Sequence, residues 1–395
     1  MKKVVIIYDF LHGFGGLERV MAFQAESLKK DFDVTVSFGS FDKSISEKMF
    51  PGINVDEHSR KFFKFGFLKI MWTFLNRASL NRYKDSSLFI SHSYLCSRLC
   101  YYMKKHYKIP YIIYLHHPPN FLYMDDKRMK YVGGFDVGRI IALVAGIFLG
   151  RLMRPDDIKV VKNADAVFVN SVYTKNRAEK IYNIKPVVCY PTINEIFKPL
   201  SRKSCEYVLK KYNINKKFII SHGRLIPDKR YELLVESLRY LKDKDFLIVF
   251  SGKIDNFYKN ELINIAKDIG VEDNIKFLDF IPDKDLVALN NLAEVFAYPS
   301  VKEDFGIVPV EAMACGCPVV AWDDSAGPSE IVIDNVNGLL AKPYDLKDFA
   351  SKIEVILNSD FKVKNHSKIV KSTERFSRSN CSKMLNSSVN VLLHK

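Results

Sequence analysis

The 395-residue chain has no uninterrupted apolar run of eighteen residues, so nothing in it reads as a membrane-spanning helix. It has no cysteine framework either: seven cysteines, an odd number, lie scattered, the usage of a protein whose thiols are free. Cys315-Gly316-Cys317 has the look of a metal pair, but no second pair or His cluster completes four ligands, and it reads as small residues packed at a turn. Acidic residues are outnumbered, 45 against 60 basic ones, giving a formal charge of +15. That balance calls for an acidic partner: nucleotide phosphates, lipid head groups or nucleic acid. Zinc-finger spacing and an RRM signature are both missing, and no nucleic-acid partner is expected. The opening Met1-Lys2-Lys3 leads into Val4-Val5-Ile6-Ile7-Tyr8, yet Asp9 and His12 break the run too early for a signal peptide. A cytoplasmic first strand is expected.

What is present is an alternation of short apolar strands with helix-length segments, the pattern of an α/β protein with parallel sheets covered by helices. Strands are expected at 4–10, 33–38, 88–93, 111–117, 166–171 and 187–191. After Phe197-Lys198-Pro199-Leu200 the alternation restarts, with strands at 218–223, 247–252, 275–280, 295–300 and 318–323. The length suits two domains. The expected division is 1–198, 199–371, and a terminal helix from 372 to 395 packing back on the first domain.

Two stretches depart from the pattern. From Arg60 to Lys84 there are seven Lys or Arg, no acidic residue and a dense set of aromatics, including Phe62, Phe63, Phe65, Phe67, Trp72 and Phe74. Such a stretch suits peripheral contact with an anionic membrane, and it equally suits a helix pair covering the sheet with a solvated basic edge. The run Ile140 to Leu149 is too short to span a bilayer and reads as a buried or in-plane helix.

Four places carry chemistry. Gly13-Phe14-Gly15-Gly16 forms the first βα turn and opens a helix, where Gly15 and Gly16 let backbone amides approach a phosphate. A dinucleotide site would also want an acidic residue at the end of the second strand, and that strand ends Ser37-Phe38-Gly39, which weakens a nicotinamide reading. In Ser221-His222-Gly223-Arg224-Leu225-Ile226-Pro227-Asp228-Lys229, Arg224 and Lys229 sit on a loop at the carboxyl end of a strand, two cations suited to a diphosphate. The most specific stretch runs Glu303-Asp304-Phe305-Gly306-Ile307-Val308-Pro309-Val310-Glu311. It places two carboxylates about a glycine that permits close backbone approach to a ligand with hydroxylated rings. Finally, Tyr114-Leu115-His116-His117-Pro118-Pro119 puts two histidines at a strand end, a core histidine being the plainer reading. Asp-Lys-Asp at 243–245 and 283–285 imitates a metal-binding D-x-D, but both runs lie in Lys-rich polar segments and are expected to be solvated.

These motifs together resemble family 4 retaining glycosyltransferases of the GT-B fold. The resemblance takes in the glycine-rich first loop, Arg-x4-Lys, E-x7-E, Gly327-Pro328-Ser329-Glu330-Ile331-Val332 and the closing Arg375-Phe376-Ser377. It implies two Rossmann-like domains facing across a cleft, and transfer of a hexose, mannose or glucose, from a GDP- or UDP-hexose to a glycan or lipid-linked acceptor. The sugar nucleotide is a co-substrate, and neither cofactor nor metal is implied. Position by position, Arg224 and Lys229 would bind the donor diphosphate, Glu303 the transferred sugar and Glu311 the ribose hydroxyls. The amides of Phe305, Gly306 and Ile307 would help hold sugar and phosphate. Y-x-H-x-P is similar to the Alg2-like mannosyltransferases and implies that His116, with His117 as alternative, lies near the reacting sugar. Asn170-Ser171 resembles a segment lining the cleft, although Ser171 as a helix cap explains it equally well. A nucleotide-sugar epimerase or phosphorylase of the same fold, and a silent sugar or lipid-head-group binding protein, are the rival readings. With the basic stretch, the resemblance suggests a cytoplasmic protein peripheral on the membrane's cytoplasmic face.

Overall fold

The computed structural model describes residues 1–13, 15–59, 77–119, 122–123, 150 and 153–393. Most of the basic aromatic stretch, 60–76, and the whole apolar run 140–149 lie outside the described residues. No helix among those described is long and apolar enough to cross a membrane.

The described chain forms two compact units, passing from the first to the second after Thr192 and returning at Arg378. Both sheets are wholly parallel, which explains why their central strands read as unbroken apolar runs: parallel sheets are covered on both faces. The first sheet has the order β3-β2-β1-β4-β5-β6-β7, from β1 (Lys3–Leu11), β2 (Asp33–Phe41), β3 (Asn54–Glu57), β4 (Leu88–Ser91), β5 (Tyr111–Leu115), β6 (Ala166–Val169) and β7 (Val187–Val188). Val4 pairs with Val34 on one side and Leu88 on the other, and Val4 to Ile7 are fully buried. The second sheet has the order β10-β9-β8-β11-β12-β13, from β8 (Phe218–His222), β9 (Leu247–Ser251), β10 (Ile275–Leu278), β11 (Val295–Tyr298), β12 (Val319–Trp322) and β13 (Gly338–Ala341). In each sheet the strand order reverses beside the first strand, between β1 and β4 and between β8 and β11. Loops at the carboxyl ends of such a pair diverge and leave room for a ligand.

β3 and β13 went unanticipated because Asn-Val-Asp-Glu lacks the apolar signature of a covered strand, and Gly-Leu-Leu-Ala is only four residues long and opens on a glycine. The expected passage near 198 comes earlier because Phe197 is already buried with Val287, Ala314 and Cys315 of the second unit. The expected return near 371 comes later: Phe361–Ser372 is a helix of the second unit, held where Asn337 Nδ2 donates to Ser372 Oγ at 2.9 Å. The last helix, Arg378–Leu393, belongs to the first unit. Its Leu385 and Val389 are buried with Val20, Met21 and Ala25 of the helix Gly16–Leu28, and Arg378 pairs with Glu26.

One expectation is overturned at 283–285. Asp285 is 4% exposed and accepts from Tyr207 Oη at 2.7 Å, Lys211 Nζ at 2.5 Å and Tyr212 Oη at 2.6 Å. It is an interior anchor for the segment that opens the second unit, not a solvated charge. The polar neighbours in sequence misled because burial here comes from residues more than seventy positions away.

Candidate functional site

In the second unit the chain after β8 must turn sharply beside the chain after β9. Gly223 and Gly252 take φ values of 141° and 130°, and a Cβ on Gly252 would stand 1.9 Å from the Gly223 carbonyl oxygen. Only two glycines allow that approach. Gly223 N–H donates to Ser251 O at 3.0 Å and Leu225 N–H to Lys253 O at 2.9 Å, so Leu225 is pinned inside while Arg224 beside it is exposed. The 3-10 turn Pro227–Lys229 then carries Lys229 back toward the neighbouring strand.

There it meets Glu303. Lys229 Nζ lies 2.5 Å from Glu303 Oε2, each side chain about one-fifth exposed, and Ser300 Oγ donates to the same oxygen at 2.8 Å. Tyr231 and Tyr298 are buried around this pair; burial first, then the Glu303 charge, pushes both hydroxyls above their ordinary range. Glu303's carbonyl accepts from Gly327 N–H at 2.9 Å, and a Cβ on Gly327 would collide with the Phe305 backbone at 2.4 Å. Gly306 follows at φ 98° and caps the helix Ile307–Ala314, whose first amides have no partner within the helix and give that end partial positive charge. Glu311 lies on the same helix at 2% exposure.

Asp324, which sequence reasoning did not single out, holds the loops after β11 and β12 together. Its Oδ2 accepts from Lys302 N–H at 2.8 Å and its Oδ1 from Ala326 N–H at 3.1 Å, an Asx turn. The available signal was a carboxylate two residues beyond a strand and just before Ser-Ala-Gly. Arg375 donates to the carbonyls of Glu330 (2.7 Å) and Ile331 (3.2 Å), closing the end of the short helix Gly327–Ile331, while Phe376 packs edge-on against Phe305 at 5.5 Å. The motifs at 303–311, 327–332 and 375–377 therefore form one piece of structure.

In the first unit, Gly15 caps the helix Gly16–Leu28, and a Cβ there would fall 2.3 Å from Glu18 Oε2, whose carboxylate folds back over the helix start. Phe14 lies outside the described residues. His116 stands after β5 with Nε2 3.0 Å from His92 Nδ1, and His92 Nε2 is 2.9 Å from Gln24 Oε1. Burial holds His92 down at about 3 and His116 well below the usual histidine range, so both rings are neutral. His117 is exposed and faces the Pro118 carbonyl. Ser171 Oγ accepts from Thr174 N–H at 3.0 Å and caps the helix Val172–Tyr182. Cys315 and Cys317 are buried, and no group of three or more His, Cys, Asp or Glu among the described residues could hold a metal.

Two family models match the chain, one described as Glycosyltransferase Family 4 over residues 14–195 and one as Glycosyl transferases group 1 over 208–376. The chain belongs to the family 4 glycosyltransferases. Among its relatives, a D-inositol 3-phosphate glycosyltransferase of Corynebacterium aurimucosum is 29% identical over 51% of this chain and 51% of its own length. An N-acetylgalactosamine-N,N'-diacetylbacillosaminyl-diphospho-undecaprenol 4-alpha-N-acetylgalactosaminyltransferase of Campylobacter jejuni is 29% identical over 50% of this chain and 52% of its own. The family 4 chain thus matches about half the length of these curated relatives. In fold it is similar to Anabaena HepE, solved in complex with UDP and glucose, at a TM-score of 0.78 and 19% identity over 99% of this chain and 100% of that one. Its fold class is that of the GT-B glycosyltransferases, α/β with two Rossmann-like units.

Proposed function

We propose that this family 4 member is a retaining, metal-independent hexosyltransferase that moves mannose or glucose from a UDP- or GDP-hexose to a glycan or lipid-linked acceptor. The observation that carries the reading is the 2.5 Å contact between Lys229 and Glu303, made by loops from β8 and β11 where the sheet order reverses. A cation and a carboxylate side by side there suit the junction of a diphosphate with a hydroxylated sugar. As the glycosidic bond breaks, negative charge gathers on the leaving diphosphate, and Arg224 and Lys229 stabilise it. Each well-aimed donor of this kind is worth about 3 kcal/mol.

In this reading Glu303 accepts from the transferred sugar, Glu311 from the ribose, and the amides of Phe305, Gly306 and Ile307 meet sugar and phosphate. Gly15 and Gly16 present the first loop to the donor, and His116 lies near the reacting carbon. The HepE complex with UDP and glucose supports a nucleotide-sugar donor, and makes UDP-hexoses the first to try. A lipid-linked acceptor at the cytoplasmic membrane face rests on the basic, aromatic sequence of 60–84.

The test is a thermal-shift panel of nucleoside diphosphates and their sugars, followed by assay of diphosphate release with and without Glu303→Gln. A ligand at a hundredfold its Kd adds about 2.7 kcal/mol. Stabilisation by no nucleotide, or release unaffected by Glu303→Gln, overturns the proposal.

A further inference from the structure

Three polar side chains from three elements of the first unit form a line, of which the transferase reading uses only His116. Gln24 lies on the helix Gly16–Leu28, His92 at the end of β4 and His116 at the end of β5. Gln24 is 1% exposed and His92 5%, while His116 is partly open. His92 stacks on Tyr114 with ring centroids 5.3 Å apart at 18°, and Tyr114 is itself fixed by donating to the Cys189 carbonyl at 2.6 Å. The rings therefore cannot swing apart without unpacking β5.

We propose that Gln24, acting through His92, holds His116 with its proton on Nε2 and leaves the His116 Nδ1 lone pair to accept from a ligand hydroxyl. A neutral imidazole has one N–H and one lone pair. Gln24 Oε1, which only accepts, faces His92 Nε2, so His92 carries its proton there. Its Nδ1 is then an acceptor, and the atom facing it, His116 Nε2, must donate. Both rings are neutral because burial disfavours imidazolium, so each has one N–H and one lone pair. A carboxylate in place of Gln24 would favour the charged ring and make His92 donate on both sides, reversing the direction. Gln24 Nε2 has no partner among the described residues, and with the amide turned over, Nε2 facing His92, the relay would run the other way. The orientation of this one amide therefore sets the tautomer of His116. Gln24 and His92 are positioning residues for His116, a role that rests on the transferase reading above.

The experiment uses the full chain labelled with 15N-histidine, with a His116→Asn sample to identify the His116 signals in two-bond 1H–15N spectra. The expected result is the Nε2–H pattern for His116 in the unmutated protein, lost to a mixture in Gln24→Met and in His92→Phe. Transfer kcat falls about tenfold in both variants while donor KM stays nearly constant, and His92→Asn, whose amide oxygen can still accept from His116, recovers most of the loss. A proton on His116 Nδ1 in the unmutated protein overturns the inference, as does a tautomer indifferent to Gln24→Met. That spectrum decides even if a variant fails to fold. If no donor is turned over but the tautomer follows Gln24 and His92, the transferase reading fails and the tautomer assignment stands.

Discussion

Lys229 and Glu303, 74 positions apart in sequence, meet at 2.5 Å across the loops of two neighbouring strands. The lysine already has a carboxylate partner in Glu303, so a diphosphate that binds Lys229 competes with Glu303 for it. We predict that Glu303→Gln keeps or tightens nucleoside diphosphate binding while lowering transfer by about a hundredfold. Lys229→Met weakens diphosphate binding by roughly tenfold, the scale of one charge-assisted hydrogen bond. Calorimetry and initial rates separate the two effects, and equal losses of binding in both variants would contradict the assignment.

The close approach of Gly252 to Gly223 makes a second prediction. Gly252→Ala places a methyl 1.9 Å from a carbonyl oxygen, at a φ of 130° that L-residues avoid. The second unit is expected to lose about 3 kcal/mol from strain and overpacking combined. With Trp72 replaced by Phe, Trp322 is the remaining one of two tryptophans and reports the urea midpoint of that unit. A midpoint unchanged by Gly252→Ala would show that the loops can separate freely.

Asp285 provides a pH-dependent test. Burial pushes its carboxyl up, but hydrogen bonds from Lys211, Tyr212 and Tyr207 outweigh that and hold it below the usual 3.8. Its contribution is present above the ordinary carboxylate value and fades as pH falls through the lowered one. Asp285→Asn is therefore expected to cost the second unit about 2 kcal/mol at pH 7. The gap from wild type should narrow below pH 4, as read from urea unfolding at both pH values; a constant gap would mean that charge plays no part.

The buried histidines act in the opposite unit and over a different pH window. His58 and His92 are both held down at about 3 by burial, against an ordinary 6.5. The unfolded chain takes up protons below 6.5 that the folded one refuses, so stability present above that value declines as pH falls towards 3. Each such ring contributes a slope of about 1.4 kcal/mol per pH unit. Hydrogen exchange of the β1 and β4 amides at pH 7.5 and 5.5 should show the decline, and His92→Asn should lessen it by one ring's share. Equal protection at both pH values would mean these rings are not neutral inside.

Much of the fold was legible because covered parallel strands must be apolar on both faces. Val4-Val5-Ile6-Ile7 and Leu247-Ile248-Val249-Phe250 could hardly be anything else. The edge strand Asn54–Glu57 escaped because one neighbour suffices to hold an edge and little burial is asked of it, and Gly338–Ala341 because a buried run of four residues opening on a glycine is too short to read as a strand. Asp285 escaped for the converse reason: its polar surroundings in sequence are not its surroundings in space.

By itself the sequence determined most of the strands, and which side chains stand at their carboxyl ends: Arg224 and Lys229 after one, Glu303 after another, His116 after a third. Periodicity and turn chemistry are local, and they report each residue's own environment. Only the tertiary structure decided who meets whom. Strand order makes β8 and β11 neighbours across a reversal, which lets Lys229 touch Glu303, and it places β4 beside β5 under the first helix, which lines up Gln24, His92 and His116. Contacts of that kind arise from chain crossing, and no stretch of consecutive residues encodes them.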